Sequence, residues 1–393
     1  MKEKKKRTVL IVDDDKFAAM VLQKQLESGK PQAQITVYIE SRAAVSKLAA
    51  GEKVDLLFLD LRMPDIDGIT FVRSLTAAAF RGGLVFCSGQ SDRLLLAAQE
   101  IAQNQGINVM GTLQKPPSLG QLQALLARAS QPTAREFVAV SSADLQLGLS
   151  KGEIVNYDQP KVSLSDRSLH GVEALVRWQT PNGIVSPDNF IPIAESSGLV
   201  GALTDRVIEE ALLDLSNWQR KGIVVEMSIN LSVAGLTDLA LPEQLASRCQ
   251  ASNIENERIT LELTESKVMD KPGETLDILS RLHLMGFNLS IDDFGTGYSS
   301  LTQLSRAPFN ELKIDRSFVR NAANQKSSQA IINSSVSLAR DLQMRIVAEG
   351  VETQDDWALV KAAGCDFAQG YFIARPMPAD DIPPWVVEWQ SGR

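Results

Sequence analysis

Two regimes of apolar and polar patterning follow one another along this chain. Short apolar runs at 8–12, 34–39, 54–60, 84–88 and 109–113 predict five strands. Between them apolar residues recur at helical spacing, as at Ala18, Val21, Leu22 and Leu26. Strands that alternate with helices predict a parallel, doubly wound sheet of flavodoxin type. A polar, proline-containing stretch at 130–133 then reads as a linker. Beyond it, strand-like runs at 171–178, 225–232, 259–266, 288–295, 311–316, 345–352 and 367–376 each carry polar residues toward their ends. These are Glu173; Asn230; Glu262 and Glu265; Asp292 and Asp293; Lys313 and Asp315; Glu349 and Glu352; and Gln369. Helical stretches separate most of them. Val207, Ala211 and Leu215 share one helix face, with Ile208 and Leu212 beside it. Thr353 and Asp356 form a capping box, and Gly364 stops the helix that follows. Eight strands of this kind can close into a (β/α)8 barrel, whose active site lies at the carboxyl ends of its strands.

Size and composition narrow the reading. A chain of 393 residues accommodates two domains, and 44% apolar with 22% charged residues is the balance of a soluble globular protein. No apolar run approaches a membrane span, which argues against membrane insertion. The apolar run at 9–12 is too short for an export signal, so a cytoplasmic location is expected. A net charge of −8 argues against a DNA-binding face but leaves room for a small phosphate ligand held through metal. With only His170 and His283, a histidine-rich zinc or iron site is excluded in practice. Cys87, Cys249 and Cys365 show no paired spacing and read as buried reduced thiols.

The strand ends supply the chemistry. In the first region Asp13, Asp14 and Asp15 close the first strand, Asp60 the third and Ser88 the fourth, and Lys115 follows the fifth. A doubly wound sheet gathers these ends at its switch point. Carboxylates there suit Mg²⁺, a carboxylate beside Mg²⁺ can attack a phosphoryl group, and Lys115 and Ser88 can stabilise its oxygens. A lone acid at a strand end is more often merely exposed; here all four positions coincide. In the second region the ring of carboxylates, one amide and one lysine suits Mg²⁺ or Mn²⁺. Asp292 and Asp293 are adjacent, so a regular strand would point them to opposite sides, although both could reach metals where the chain turns into Gly295. Two ions about 3.5–4 Å apart would clamp a phosphodiester and activate water between them. Lys313 is the one cation at a strand end of the ring. Taken singly, Glu265 reads as a cap or ion-pair partner, Lys313 as a solvated lysine, and Arg177 and Trp178 as packing. The ring drawn from six strand ends favours the metal site.

The motifs VDDD at 12–15, LDLRMPDIDG at 59–68, CSG at 87–89 and KP at 115–116 resemble a response-regulator receiver domain over 7–130. The resemblance implies Asp60 as phosphoacceptor, Asp13 and Asp14 as the Mg²⁺ pair, Ser88 and Lys115 as the switch residues, and a histidine kinase as partner. The aromatic residue that receivers often carry three positions before the lysine is Thr112 here, and Pro116–Pro117 makes a stiffer turn. After a linker at 131–141, residues 142–390 resemble the EAL family of cyclic di-GMP phosphodiesterases. That likeness rests on YDQP at 157–160, EALVRW at 173–178, FIPIAE at 190–195, NLS at 230–232, ELTES at 262–266, DDFGTGYSS at 292–300, LKID at 312–315, AEGVE at 348–352 and QGY at 369–371. It implies a modified (β/α)8 barrel with an antiparallel first strand. It further implies metal ligands at Glu173, Asn230, Glu262, Asp292, Asp293 and Glu349, with Lys313 orienting the attacking water and Glu352 supporting Lys313. Gln159, Leu175, Arg177, Asp315 and Gln369 would contact the dinucleotide. Glu265 would anchor the 292–300 loop, which the family ties to a dimer, so a homo-oligomer (dimer or tetramer) is implied. The implied activity is two-metal hydrolysis of cyclic di-GMP to linear pGpG under control of Asp60. The alternatives are a barrel that binds the dinucleotide without cutting it, or a scaffold that acts through its receiver.

Overall fold

A computed structural model of the chain describes residues 7–29, 33–78, 80–89, 92–115, 117, 120–122, 125, 140–231, 238–264, 272–296, 304, 306–320 and 322–391. Residues 131–139 of the expected linker lie outside them, as do Pro116, Glu265 and residues 297–300, while Ser141 caps the helix Ser142–Ser150. By its contacts the chain separates into one unit over Met1–Glu136 and another over Phe137–Arg393.

The first unit is built on β1 (Arg7–Val12), β2 (Ala33–Tyr38), β3 (Leu56–Asp60), β4 (Gly83–Ser88) and β5 (Asn108–Gln114). They form a parallel sheet in the order β2-β1-β3-β4-β5. Every residue of β3 and β4 is buried, as a sheet covered on both faces requires. Leu10, Val12, Leu57 and Leu59 enter one core, while Val9, Ile11, Leu56 and Phe58 enter the core on the opposite face. Register brings the chemistry together: Val12 pairs with Leu59 and Asp60 with Cys87, so the residues that follow these strands emerge side by side. After β3, Asp67 accepts from the Thr70 backbone N–H at 2.9 Å and starts the helix Gly68–Ala77. A Cβ on Gly68 would lie 2.8 Å from the Leu61 Cα, so this close approach admits only glycine.

The second unit is a closed eight-stranded barrel. Its strands are β6 (Ile154–Ser163), β7 (Leu169–Thr180), β9 (Glu226–Asn230), β10 (Ile259–Thr264), β11 (Asn288–Phe294), β12 (Glu311–Ile314), β13 (Arg345–Ala348) and β14 (Phe367–Gln369). A short β8 (Gly183–Val185) adds a hairpin to β7 outside the ring. β6 runs antiparallel to both β7 and β14, and the other ring neighbours are parallel. The apolar pattern did not single out β6 as a strand, because it buries Asn156, Asp158, Gln159 and Lys161. The helix Val200–Arg220 buries Val207, Ile208, Ala211, Leu212 and Leu215 as its spacing predicted. The Thr353–Asp356 capping box forms, and Gly364, at φ 91°, closes the helix Gln354–Ala363. All three cysteines are buried thiols. No helix among the described residues is long and apolar enough to cross a membrane.

Candidate functional site

At the carboxyl ends of the first sheet, Lys115 Nζ lies 2.6 Å from Asp13 Oδ2 and 2.8 Å from Asp60 Oδ2. Carboxylate oxygens of Asp13, Asp14 and Asp60 all lie within 4.8 Å of one another, a spacing that suits one cation. Burial disfavours charge on Lys115, but the two aspartates outweigh it and raise its pKa. Burial raises Asp13 against the pull of Lys115. Ser88 is buried at the end of β4, and Thr112 pairs with Phe86 within β5. Asp13, Asp14, Asp60 and Lys115 stand together, with Asp14 on the exposed rim.

In the barrel, Lys313 is fully buried at the centre of the mouth. Its Nζ lies 2.6 Å from Glu262 Oε2, 2.7 Å from Glu349 Oε1, and 3.3 Å from both Glu173 Oε2 and Asp292 Oδ1. Burial works against the ammonium, yet the carboxylates hold its pKa well above the usual lysine range. For Glu173, burial is outweighed by Lys313 and by the Gln369 and Asn230 amides, which lower its pKa. The other acids move up. Burial and Glu173 hold Glu262 well above the carboxylate range. Burial, then Asp292 and Asp315, takes Asp293 to about 6. Burial and Asp292 take Glu349 to about 8 despite Lys313.

Asp292 and Asp293 reach the same site because β11 is irregular there. The β11–β12 register shifts between Ile291 and Phe294, and Asp293 sits at φ 56° in the left-handed region. Strand alternation is broken at that residue, so both acids and Glu349 present carboxylate oxygens within 4.8 Å of one another. β11 itself continues to Phe294, and the chain turns at Gly295 as expected.

The amides assigned to substrate contact form a chain. Gln369 Nε2 donates to Glu173 Oε2 at 2.7 Å and to Gln159 Oε1 at 3.0 Å, and Gln159 Nε2 donates to the Ala374 carbonyl at 3.0 Å. Asn230 Nδ2 donates to Glu173 Oε1 at 2.9 Å. Leu175 and Arg177 follow Glu173 at two-residue steps on β7, and the Arg177 guanidinium lies 5.9 Å from the Tyr157 ring. Trp178 faces the other way, into a core with Leu145, Phe190 and Ala194. Asp315 caps a short helix through the Ser317 N–H at 2.9 Å, and its charge helps to raise the Asp293 pKa.

Glu352, expected to support Lys313, forms no direct ion pair with it among the described residues; its Oε2 pairs with Arg320 Nη2 at 3.0 Å. β13 ends at Ala348, and Gly350, at φ 67°, turns the chain between Glu349 and Glu352. Glu265 lies outside the described residues, so its role as loop anchor has no structural counterpart here.

Sequence reasoning missed a second polar layer at the opposite end of the barrel. Lys161 Nζ meets Glu311 at 3.0 and 3.1 Å and Ser228 Oγ at 3.3 Å, while Arg345 pairs with Glu226 at 2.8 Å. Lys161 stands two residues from Gln159, so period-two alternation along YDQPK was the available signal. Position at the amino ends of β9, β12 and β13 gives this layer a structural role. A groove of about 800 Å³ near Gln219, Glu243, Gln250 and Arg258 also lies at that end and contains none of the assigned residues.

The donor set at the mouth fits divalent cations. Glu173, Glu262, Asp292, Asp293 and Glu349 face one ammonium, which leaves four negative charges when all are ionised, the charge of two divalent ions. Glu262 Oε1 is buried without a hydrogen-bond partner. Burial and mutual repulsion raise the pKa values of Glu262, Asp293 and Glu349, a cost that bound cations would offset.

Residues 142–376 match the EAL domain and residues 9–127 the response regulator receiver domain. The chain is 33% identical over 377 residues to the cyclic di-GMP phosphodiesterase RocR of Pseudomonas aeruginosa, covering 94% of this chain and 96% of RocR. It is 34% identical over 295 residues to the cyclic di-GMP phosphodiesterase PA2567 of the same organism, covering 75% of this chain and 48% of that protein. Among solved structures, the PaMucR phosphodiesterase in complex with c-di-GMP matches with a TM-score of 0.59 and 38% identity, over 61% of this chain and 98% of that one. The chain belongs to the EAL domain family and carries a response regulator receiver domain ahead of its EAL domain.

Proposed function

We propose that the barrel hydrolyses one phosphodiester bond of cyclic di-GMP to give linear pGpG, and that phosphorylation of Asp60 controls it. The observation that carries this reading is the Lys313 cluster, one buried ammonium within 3.3 Å of four strand-end carboxylates. Resemblance to RocR along nearly the whole of both chains supports the substrate.

Glu173, Asn230, Glu262, Asp292, Asp293 and Glu349 would hold two ions, Mg²⁺ or Mn²⁺. When bound, such a pair lowers the pKa of a water and neutralises phosphoryl charge. Gln159 and Gln369 orient the dinucleotide by their amides, with Leu175 and Arg177 on the rim. Lys313 presents a permanent positive charge to the oxygens of the transition state. Glu349 Oε1, hydrogen-bonded to Lys313, is placed to take the proton from the attacking water.

Turnover of cyclic di-GMP in Mg²⁺ is measured by chromatography before and after acetyl phosphate treatment, in wild type and Asp60→Asn. The expected result is pGpG, with a rate that acetyl phosphate changes in wild type alone. Tight binding without product would instead make the barrel a receptor.

Metal binding carries a further expectation. Protons on Asp293 and Glu349 compete with Mg²⁺, and they leave as pH rises through about 6 and about 8. Apparent Mg²⁺ affinity therefore rises between those values, with proton release measurable as a buffer-dependent heat in calorimetry. An affinity independent of pH across that window contradicts the assignment of these two acids.

A further inference from the structure

The helix Val200–Arg220 packs Val207, Ala211, Leu215 and Trp218 inward, and Asp214 is buried among them. Opposite stands the outer side of β6. Gln159 and Lys161 point into the barrel, where they meet Gln369 and Glu311, so Asn156 and Asp158 point outward to this helix. Asn156 Nδ2 donates to the Val207 carbonyl at 3.0 Å, which confirms that direction. Asp158 is 0% exposed, and neither of its carboxylate oxygens has a hydrogen-bond partner. Asn156 Oδ1 is likewise buried without one. The Asp158 backbone exchanges two hydrogen bonds with Met377, at 2.7 and 3.0 Å, and Trp218 Nε1 holds the Ala379 carbonyl at 3.0 Å. The seam is thus closed on a third side by the segment leading to Asp380.

Buried acceptors without donors are costly, and native proteins satisfy them with a donor, a water or an ion. Of the charged groups around this seam, Arg206 is committed to Glu210 and to the Ile154 carbonyl, and Asp380 adds negative field. We propose that Asp158, Asp214 and the Asn156 Oδ1 form a site for a hard divalent cation that ties β6 to the helix Val200–Arg220, separate from the ions of the barrel mouth. Two carboxylates match a divalent charge. An all-oxygen set with little access to solvent suits Ca²⁺, which accepts irregular protein-oxygen coordination, better than Mg²⁺, which retains its waters. Burial raises Asp158 well above the carboxylate range and Asp214 to about 7, so a cation bound there would compete with protons. Asp158 directly precedes Gln159, so the ion would also steady a strand that carries a substrate-facing amide.

The test is Ca²⁺ titration of the chelator-treated full chain by calorimetry near neutral pH, for wild type, Asp158→Asn and Asp214→Asn. The proposal expects each variant to bind one Ca²⁺ fewer per chain than wild type. The missing site should account for a buffer-dependent proton release and for the larger Ca²⁺-induced rise in wild-type melting temperature. Equal stoichiometry in all three chains, or equal stabilisation by Ca²⁺, would overturn it and leave Asp158 a protonated core carboxyl. Asp214→Asn, on a different element from Asp158, keeps the test decisive if Asp158→Asn does not fold.

Discussion

Lys313→Met is expected to lower turnover of cyclic di-GMP by about 10³-fold, in the range measured when one transition-state charge donor is removed from an enzyme. It should also destabilise the metal-free protein. Nζ is the ammonium within 3.3 Å of Glu173, Glu262, Asp292 and Glu349. Removing one partner of a buried ion pair costs roughly 3–5 kcal/mol, because the remaining charge is left without compensation. The carboxylates can answer only by binding protons. Their folded pKa values then rise further above the unfolded value of about 4. Groups with raised carboxylate pKa values lose stability as pH rises from that value through their folded pKa, which for Glu349 is already about 8. The deficit of Lys313→Met against wild type should therefore deepen between pH 5 and pH 9 in chelator, and shrink when Mg²⁺ supplies the missing positive charge. Thermal melts across that range, with and without Mg²⁺, test both halves. A deficit that is flat with pH and indifferent to Mg²⁺ would show that Lys313 is not the counter-charge of this cluster.

Glu173→Ala is expected to abolish turnover. Glu173 is the node at which three kinds of group meet. It lies 3.3 Å from Lys313, it accepts from Asn230 and Gln369 on separate oxygens, and it pairs across the β6–β7 ladder with Gln159. Truncation removes a metal ligand and releases the amides that would orient the dinucleotide, so binding and chemistry fail together. It also removes the acid that Lys313, Gln369 and Asn230 hold ionised, so the metal-free fold should lose stability, with a deficit that is full above the unfolded carboxylate pKa of about 4 and fades as pH falls below it, a window distinct from that of Lys313→Met. Product analysis paired with thermal melts separates the two variants. A folded Glu173→Ala chain that still forms pGpG would sink the metal-ring assignment.

Much of both sites could be read without coordinates because parallel strands place their ends at one edge. Asp13 and Asp60 had to be neighbours once β1 and β3 were neighbours, since Asp13 follows Val12, Asp60 follows Leu59, and Val12 pairs with Leu59. The same rule gathers Glu173, Asn230, Glu262, Asp292 and Lys313 at the barrel mouth. It fails where the backbone leaves regular geometry. Asp293 enters the site through a left-handed residue, a conformation for which aspartate has only a weak preference, so composition does not announce it. Glu352, past the turn at Gly350, pairs with Arg320, a partner that strand order does not announce. β6 escaped the apolar pattern because it is lined on both faces by polar side chains, and each of those faces meets a separate buried cluster.

The amino-acid order by itself determined the alternation of strands and helices, the caps that bound the helix Gln354–Ala363, and which chemical groups stand at strand ends. These depend on contacts among residues close in sequence or on a repeat of fixed period. Only the tertiary structure decided which groups share charge. That Lys313 belongs to four acids rather than to solvent, that Glu352 pairs with Arg320, and that the Asp158 carboxylate meets no donor among the described residues are consequences of distance and burial between elements far apart along the chain. Electrostatic energy follows separation and local dielectric, neither of which is written in the order of residues.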